Sequence, residues 1–107
     1  KYFMKSAVVY LLKIQENGIY KIGVSKNVEK RVKQLQTGNT EQIYLVNKFH
    51  SNYPYKIESY LHNIYKVNSI NGEWFYLSDD DVNSFIDNCK KCETNFKCMD
   101  ENNNPFL

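Results

Sequence analysis

Asn17-Gly18, set between two runs of alternating apolar residues, restricts the fold of this chain more than any other feature. The pair tolerates the left-handed backbone that a two-residue hairpin turn requires. The flanking segments, Val8-Val9-Tyr10-Leu11-Leu12 and Tyr20-Lys21-Ile22-Gly23, therefore read as antiparallel strands over 7–14 and 19–24. With these two residues as the turn, Glu16 is expected opposite Ile19, Ile14 opposite Lys21 and Tyr10 opposite Ser25. Alternation then puts Tyr10, Ile14, Lys21, Gly23 and Ser25 on one face, and Val9, Leu11, Tyr20, Ile22 and Val24 on the other. A slip of one residue would separate Tyr10 from Lys21.

A helix is predicted over 27–36. Ser25 and Asn27 are both good N-caps, Val28, Val32 and Leu35 recur at helical spacing, and Thr37-Gly38-Asn39 stops the pattern. Arg31 falls on the buried stripe, while Glu29, Lys30 and Lys33 do not. A cation on a buried face is costly unless it is paired or functional; the plain alternative is an arginine that snorkels from the stripe's edge. Tyr10, Lys21 and Arg31 thus place three groups able to handle a proton and a phosphate on the first three elements.

Further along, Gln42–Phe49 predicts a third strand over 43–49. Tyr53-Pro54 opens a helix over 54–67, with Ile57, Tyr60, Leu61, Ile64 and Tyr65 as its apolar stripe. Glu58 lies at the edge of that stripe, one turn before His62. The spacing suits two metal ligands and equally a surface acid–imidazole pair. Asn71-Gly72 turns into an aromatic segment, 74–77, at or on the sheet. Ser78 followed by Asp79, Asp80 and Asp81 caps a helix over 79–91, with Val82, Phe85 and Ile86 inward.

At 107 residues the chain suits one domain with a modest core. No apolar run approaches the roughly 20 residues of a membrane span, and no secretory signal is visible. The opening Lys1 fits a domain cut from a longer protein. The overall charge of +2 hides an asymmetry: residues 1–56 carry ten Lys/Arg and three Asp/Glu, and residues 57–107 carry four and nine. A basic half containing the hairpin suits a polyanion, although a solvated surface accounts for it as well. Cys89, Cys92 and Cys98 supply three thiols without a nearby fourth ligand, which favours reduced cysteines over a closed zinc site. Residues 92–107, rich in Cys and Asn, read as a partly flexible tail after a domain spanning 1–91.

Taken in order, Val9-Tyr10-Leu11, Tyr20-Lys21-Ile22-Gly23, Arg31 with Leu35-Gln36-Thr37-Gly38, Glu58 with His62, and Glu73-Trp74-Phe75 resemble the GIY-YIG nuclease superfamily, in particular its phage and large-DNA-virus branch. The match spans residues 7–77. Gly18-Ile19-Tyr20 spells the motif name, but it lies in the turn; Val9-Tyr10-Leu11 occupies the place of the first motif. Lys21 stands where the superfamily has a tyrosine, as is usual in this branch.

The resemblance implies an α/β fold: a small three-stranded, largely antiparallel mixed sheet flanked by three helices. It implies a metal-dependent endonuclease that hydrolyses DNA phosphodiester bonds. Tyr10 would serve as base, Arg31 as phosphate clamp, and Glu58 as holder of one Mg²⁺ or Mn²⁺. Lys21 would act beside them, and its charge is expected to lower the Tyr10 pKa from about 10. Gly23, Ser25 and His62 are auxiliary candidates, and Tyr20 is one that alternation assigns to the core side. An intracellular location follows, in host cytoplasm or nucleus for a viral protein, with a specificity module outside this chain. Two other classes remain open: a weak or inactive nucleic-acid-binding module of the same fold, and a protein-interaction domain with the Cys-rich stretch as contact.

Overall fold

The computed structural model describes residues 6–14 and 18–102. Five strands form one sheet in the order β3-β1-β2-β5-β4, and every pairing is antiparallel. The strands are β1 (Ala7–Ile14), β2 (Ile19–Ser25), β3 (Ile43–Ser51), β4 (Ser69–Asn71) and β5 (Trp74–Tyr76). The helices are α1 (Val28–Thr37), α2 (Pro54–Ile64), α3 (Asp79–Asn83) and α4 (Phe85–Glu101), with a 3₁₀ turn at Lys66–Asn68. The expected sheet of three strands is therefore extended by a short second hairpin, and no pairing is parallel. Gly72 turns that hairpin at φ +65°. Three-residue strands are too short to show a period of two, so the sequence pattern alone could not reveal the pairing.

The first hairpin differs from the expected register by two residues. Ile14 pairs with Ile19, Leu12 with Lys21, Tyr10 with Gly23 and Val8 with Ser25. The connection is thus longer than a two-residue turn. Gly18 adopts φ +74°, whereas Glu16 and Asn17 lie outside the described residues. A shift of two preserves parity, so Tyr10 and Lys21 still share a face.

The two sheet faces carry different cores. On one, Val9, Leu11, Tyr20 and Ile22 pack with Ile57, Leu61 and Tyr65, with Phe75, and with Phe85, Cys89 and Cys92. On the other, Tyr10 and Leu12 pack with Val28 and Ile43, with Val32 and Leu35 alongside. α1 thus covers one face, and α2 and α4 the other. Asn27 caps α1 by accepting the Lys30 N–H at 3.1 Å, and Ser25 accepts the Asn27 N–H at 3.0 Å. On α2 the stripe is narrower than expected, because Tyr60 and Ile64 are exposed.

The helix expected over 79–91 is two helices. Ser78 and Asp81 form a reciprocal capping box that starts α3, the helix is interrupted at Ser84, and α4 then runs to Glu101. Residues 92–101 are therefore helix rather than the start of a tail. Cys92 is buried in the core, and Glu93 accepts hydrogen bonds from Ser51 Oγ and from the Asn52 N–H, the latter at 3.0 Å. Both Cys89 and Cys92 are free and buried, and burial pushes the Cys89 thiol up to about 12. They act as small apolar residues. Among the described residues no helix is long and apolar enough to cross a membrane.

Candidate active site

Tyr10 is only 2% exposed, and its ring crosses onto the neighbouring strand directly over Gly23. A β-carbon at Gly23 would overlap the phenol's hydroxyl and Cζ. Here glycine supplies space rather than backbone freedom: the missing side chain lets the end of a buried tyrosine ring come close against β2. The Arg31 guanidinium reaches the same phenol from α1, close enough for its hydrogen-bonding capacity and its charge to favour the ionised oxygen. Arg31 therefore uses its place on the buried stripe to approach Tyr10.

Burial, the largest influence, raises the Tyr10 pKa above the ordinary phenol value. The hydrogen-bonding capacity and charge of Arg31 oppose that rise, and the Glu73 and Glu58 carboxylates add to it. The expected role of Lys21 here needs correction. Its ammonium is occupied by Glu73 at 2.9 Å and lies over the Trp74 ring, 5.4 Å from the centroid. Arg31, rather than Lys21, is the cation that favours the phenolate.

Glu58 reaches this region because β5 is short. β5 pairs with β2 only over Ile19–Lys21, with one further bond from the Ile22 N–H to the Glu73 carbonyl, which leaves the outer edge of β2 open from the Ile22 carbonyl onward. α2 fills the gap: the His62 Nε2–H donates to the Ile22 carbonyl at 2.8 Å, and the His62 ring packs on Phe75. Glu58, one turn earlier on the same side of α2, then lies beside the open edge. Burial raises its pKa most. Charge on His62 and Lys21 opposes the rise, and Glu73 adds to it. Glu58 is half-buried, and among the described residues its carboxylate has neither a hydrogen-bond donor nor an ion-pair partner.

Tyr10, Lys21, Arg31, Glu58 and Glu73 thus form one electrostatically connected group at the β1–β2–β5 edge. His62 and Gly23 support it, and Ser25 serves the start of α1. Tyr20 lies in the core on the opposite face. Glu73 was legible only as part of an aromatic-flanked motif; its partnership with Lys21 depends on the pairing of Lys21 with Trp74. No group of three or more His, Cys, Asp or Glu side chains able to hold a metal ion occurs among the described residues. A Mg²⁺ ion that keeps most of its waters can rest on a single carboxylate, and Glu58, partly desolvated and with no ion-pair contact among the described residues, has the chemistry for it.

The family model described as the T5orf172 domain matches residues 7–90. No curated protein and no solved structure matches the chain.

Proposed function

The chain belongs to the T5orf172 domain family, and from that premise we propose that it is a metal-dependent endonuclease of GIY-YIG type acting on DNA. The family is phage-associated and often linked to endonucleases, which supports a nucleic-acid role. The observation that carries the nuclease reading is the approach of Arg31 to the buried Tyr10 phenol, with Glu58 brought alongside by α2.

Hydrolysis of a phosphodiester needs a deprotonated water, charge neutralisation on phosphorus, and a stabilised leaving oxygen. Arg31 can grip a non-bridging phosphate oxygen while its hydrogen-bonding capacity and charge favour the Tyr10 phenolate. Tyr10, as phenolate, would take the proton of the attacking water. Lys21 adds positive charge at the phosphate. A Mg²⁺ or Mn²⁺ held by Glu58 would contribute Lewis-acid stabilisation.

One observation favours a second reading, a weakly active DNA-binding module. Burial holds Tyr10 toward its protonated form in the free protein, which is unfavourable for a base near neutrality. A cleavage assay on supercoiled, linear, branched and single-stranded DNA, with Mg²⁺, Mn²⁺ or chelator, separates the two. Metal-dependent cleavage that is lost in Glu58→Gln supports the nuclease. Salt-sensitive binding without cleavage in any metal supports the module.

A further inference from the structure

Lys21 is the one buried charged residue among those described. An ammonium taken out of water costs several kcal/mol unless a counter-charge accompanies it, and Glu73 provides that charge at 2.9 Å. The pair is asymmetric. The Lys21 side chain is 4% exposed, whereas that of Glu73 is 53% exposed. The carboxylate can return to water with little change in its own solvation, and the ammonium cannot.

The backbone arrangement allows this. The Glu73 carbonyl accepts the Ile22 N–H at 3.4 Å, and Trp74 pairs with Lys21, so the main chain is attached to β2 independently of the side chain. The carboxylate has no other partner among the described residues. It also lies close enough to Tyr10 and Glu58 to favour their protonated forms. A phosphate approaching Tyr10 and Arg31 would meet this same negative charge.

We infer that Glu73 is a displaceable counter-ion, a positioning residue that neutralises Lys21 in the free protein and yields the ammonium to a phosphodiester of bound nucleic acid. The inference rests on the proposed phosphate-binding role of this surface. No covalent bond changes. One ion pair replaces another, and Glu73 returns to solvent with a cation from solution. In wild type, the counter-ion released from the phosphate is offset by the cation that Glu73 takes up. Without Glu73 that offset disappears, and the slope of log K against log salt should steepen by about 0.7–0.9, the contribution of one phosphate contact.

The test is fluorescence anisotropy with labelled duplex and single-stranded oligonucleotides in chelator, across a salt series. It compares wild type, Glu73→Gln, Lys21→Met, the double variant, and Asp87→Asn as a surface-charge control. Glu73→Gln is expected to bind about fivefold tighter at low salt, the scale of one opposite-charge contact in water that no longer has to be broken, with the steeper slope. The gain should vanish in the Lys21→Met background and exceed that of Asp87→Asn. Unchanged or weaker binding by folded Glu73→Gln, or an equal gain without Lys21, overturns the inference and leaves the DNA reading intact. Binding by wild type without cleavage in Mg²⁺ or Mn²⁺ removes the nuclease reading alone. Binding by Glu73→Gln but not by wild type supports the displacement, and absence of binding by both overturns both readings. Glu73→Ser, small and neutral, gives the same comparison if glutamine unfolds the chain.

Discussion

Replacing Gly23 with alanine adds a methyl group where the Tyr10 ring already lies. The new β-carbon would stand 2.5 Å from Tyr10 Cζ and 3.1 Å from Cε1, far inside van der Waals contact. Tyr10 is 2% exposed and packs with Leu12, Val28 and Ile43, so the ring can move only by disturbing that cluster or by leaving Arg31. Overpacking of this kind costs about 1–3 kcal/mol. In the opposite direction, removal of a strand glycine favours folding by about 0.4–1 kcal/mol through the unfolded chain. A double-mutant cycle separates the two contributions. Tyr10→Leu lacks the hydroxyl, Cζ and Cε atoms that meet the new methyl. In that background Gly23→Ala should be neutral or slightly stabilising, giving a coupling of about 1–3 kcal/mol between the sites, because the unfolded-chain contribution cancels in the cycle. Urea unfolding followed by circular dichroism measures it, with midpoints compared at constant m. An equal loss in both backgrounds would show that the backbone of β2, rather than the Tyr10 ring, requires glycine. Full stability and cleavage in Gly23→Ala would refute the geometry itself.

Arg31→Ala should slow cleavage at least ~100-fold, the scale of losing a positioned transition-state donor, and Arg31→Lys should recover little of it. The Tyr10 pKa, followed by ultraviolet titration, should rise in Arg31→Ala because the opposing hydrogen-bonding capacity and charge are gone; no change would remove Arg31 from the phenol. Lys21→Met should weaken binding while leaving the rising limb of the pH–rate profile in place, and a shift of that limb would restore Lys21 as the tuning cation. Glu58 has a raised folded pKa, so its ionisation opposes folding: stability is fully present below the unfolded value and falls as pH rises through the folded one. Glu58→Gln should therefore lose metal-dependent cleavage yet unfold at higher denaturant than wild type at pH 7, with the advantage fading on acidification through that window; lower stability at pH 7 would contradict the burial of the carboxylate. A chain ending at residue 91 loses Cys92 from the core and the two Glu93 hydrogen bonds. It should be at least ~3 kcal/mol less stable, since hydrogen bonds to a charged group contribute about 1.5–3 kcal/mol each. Wild-type stability of that truncation would reinstate the region as a tail.

Alternation and capping are local, and the sequence read accordingly. β1 and the start of β2 follow from apolar residues two apart, and α1 from Asn27 and the Val28–Val32–Leu35 stripe. The common face of Tyr10 and Lys21 followed from parity, which tolerated a register error of two because side chains repeat every second residue. The register itself depends on the connection through residues 15–18, whose length an Asn-Gly pair does not settle. Along α4, Cys89, Cys92 and Phe96 repeat at helical spacing, but few strongly apolar residues lie between charged ones, so the stripe looked like a tail until the rest of the core was in place around it.

What the sequence determined by itself was which short-range pieces form and which side chains share a face. Those choices are made by neighbouring residues through hydrogen bonds and burial within one or two turns. The site required the tertiary structure. The pairing of Lys21 with Trp74 brought Glu73 to the buried ammonium. The early end of β5 let His62 take the Ile22 carbonyl and carry Glu58 to the sheet edge. The empty side of Gly23 received the Tyr10 ring and set it against Arg31. Each of these contacts joins residues far apart in the chain. Their charges and volumes act on one another only after the sheet has closed, and no local pattern encodes which will meet.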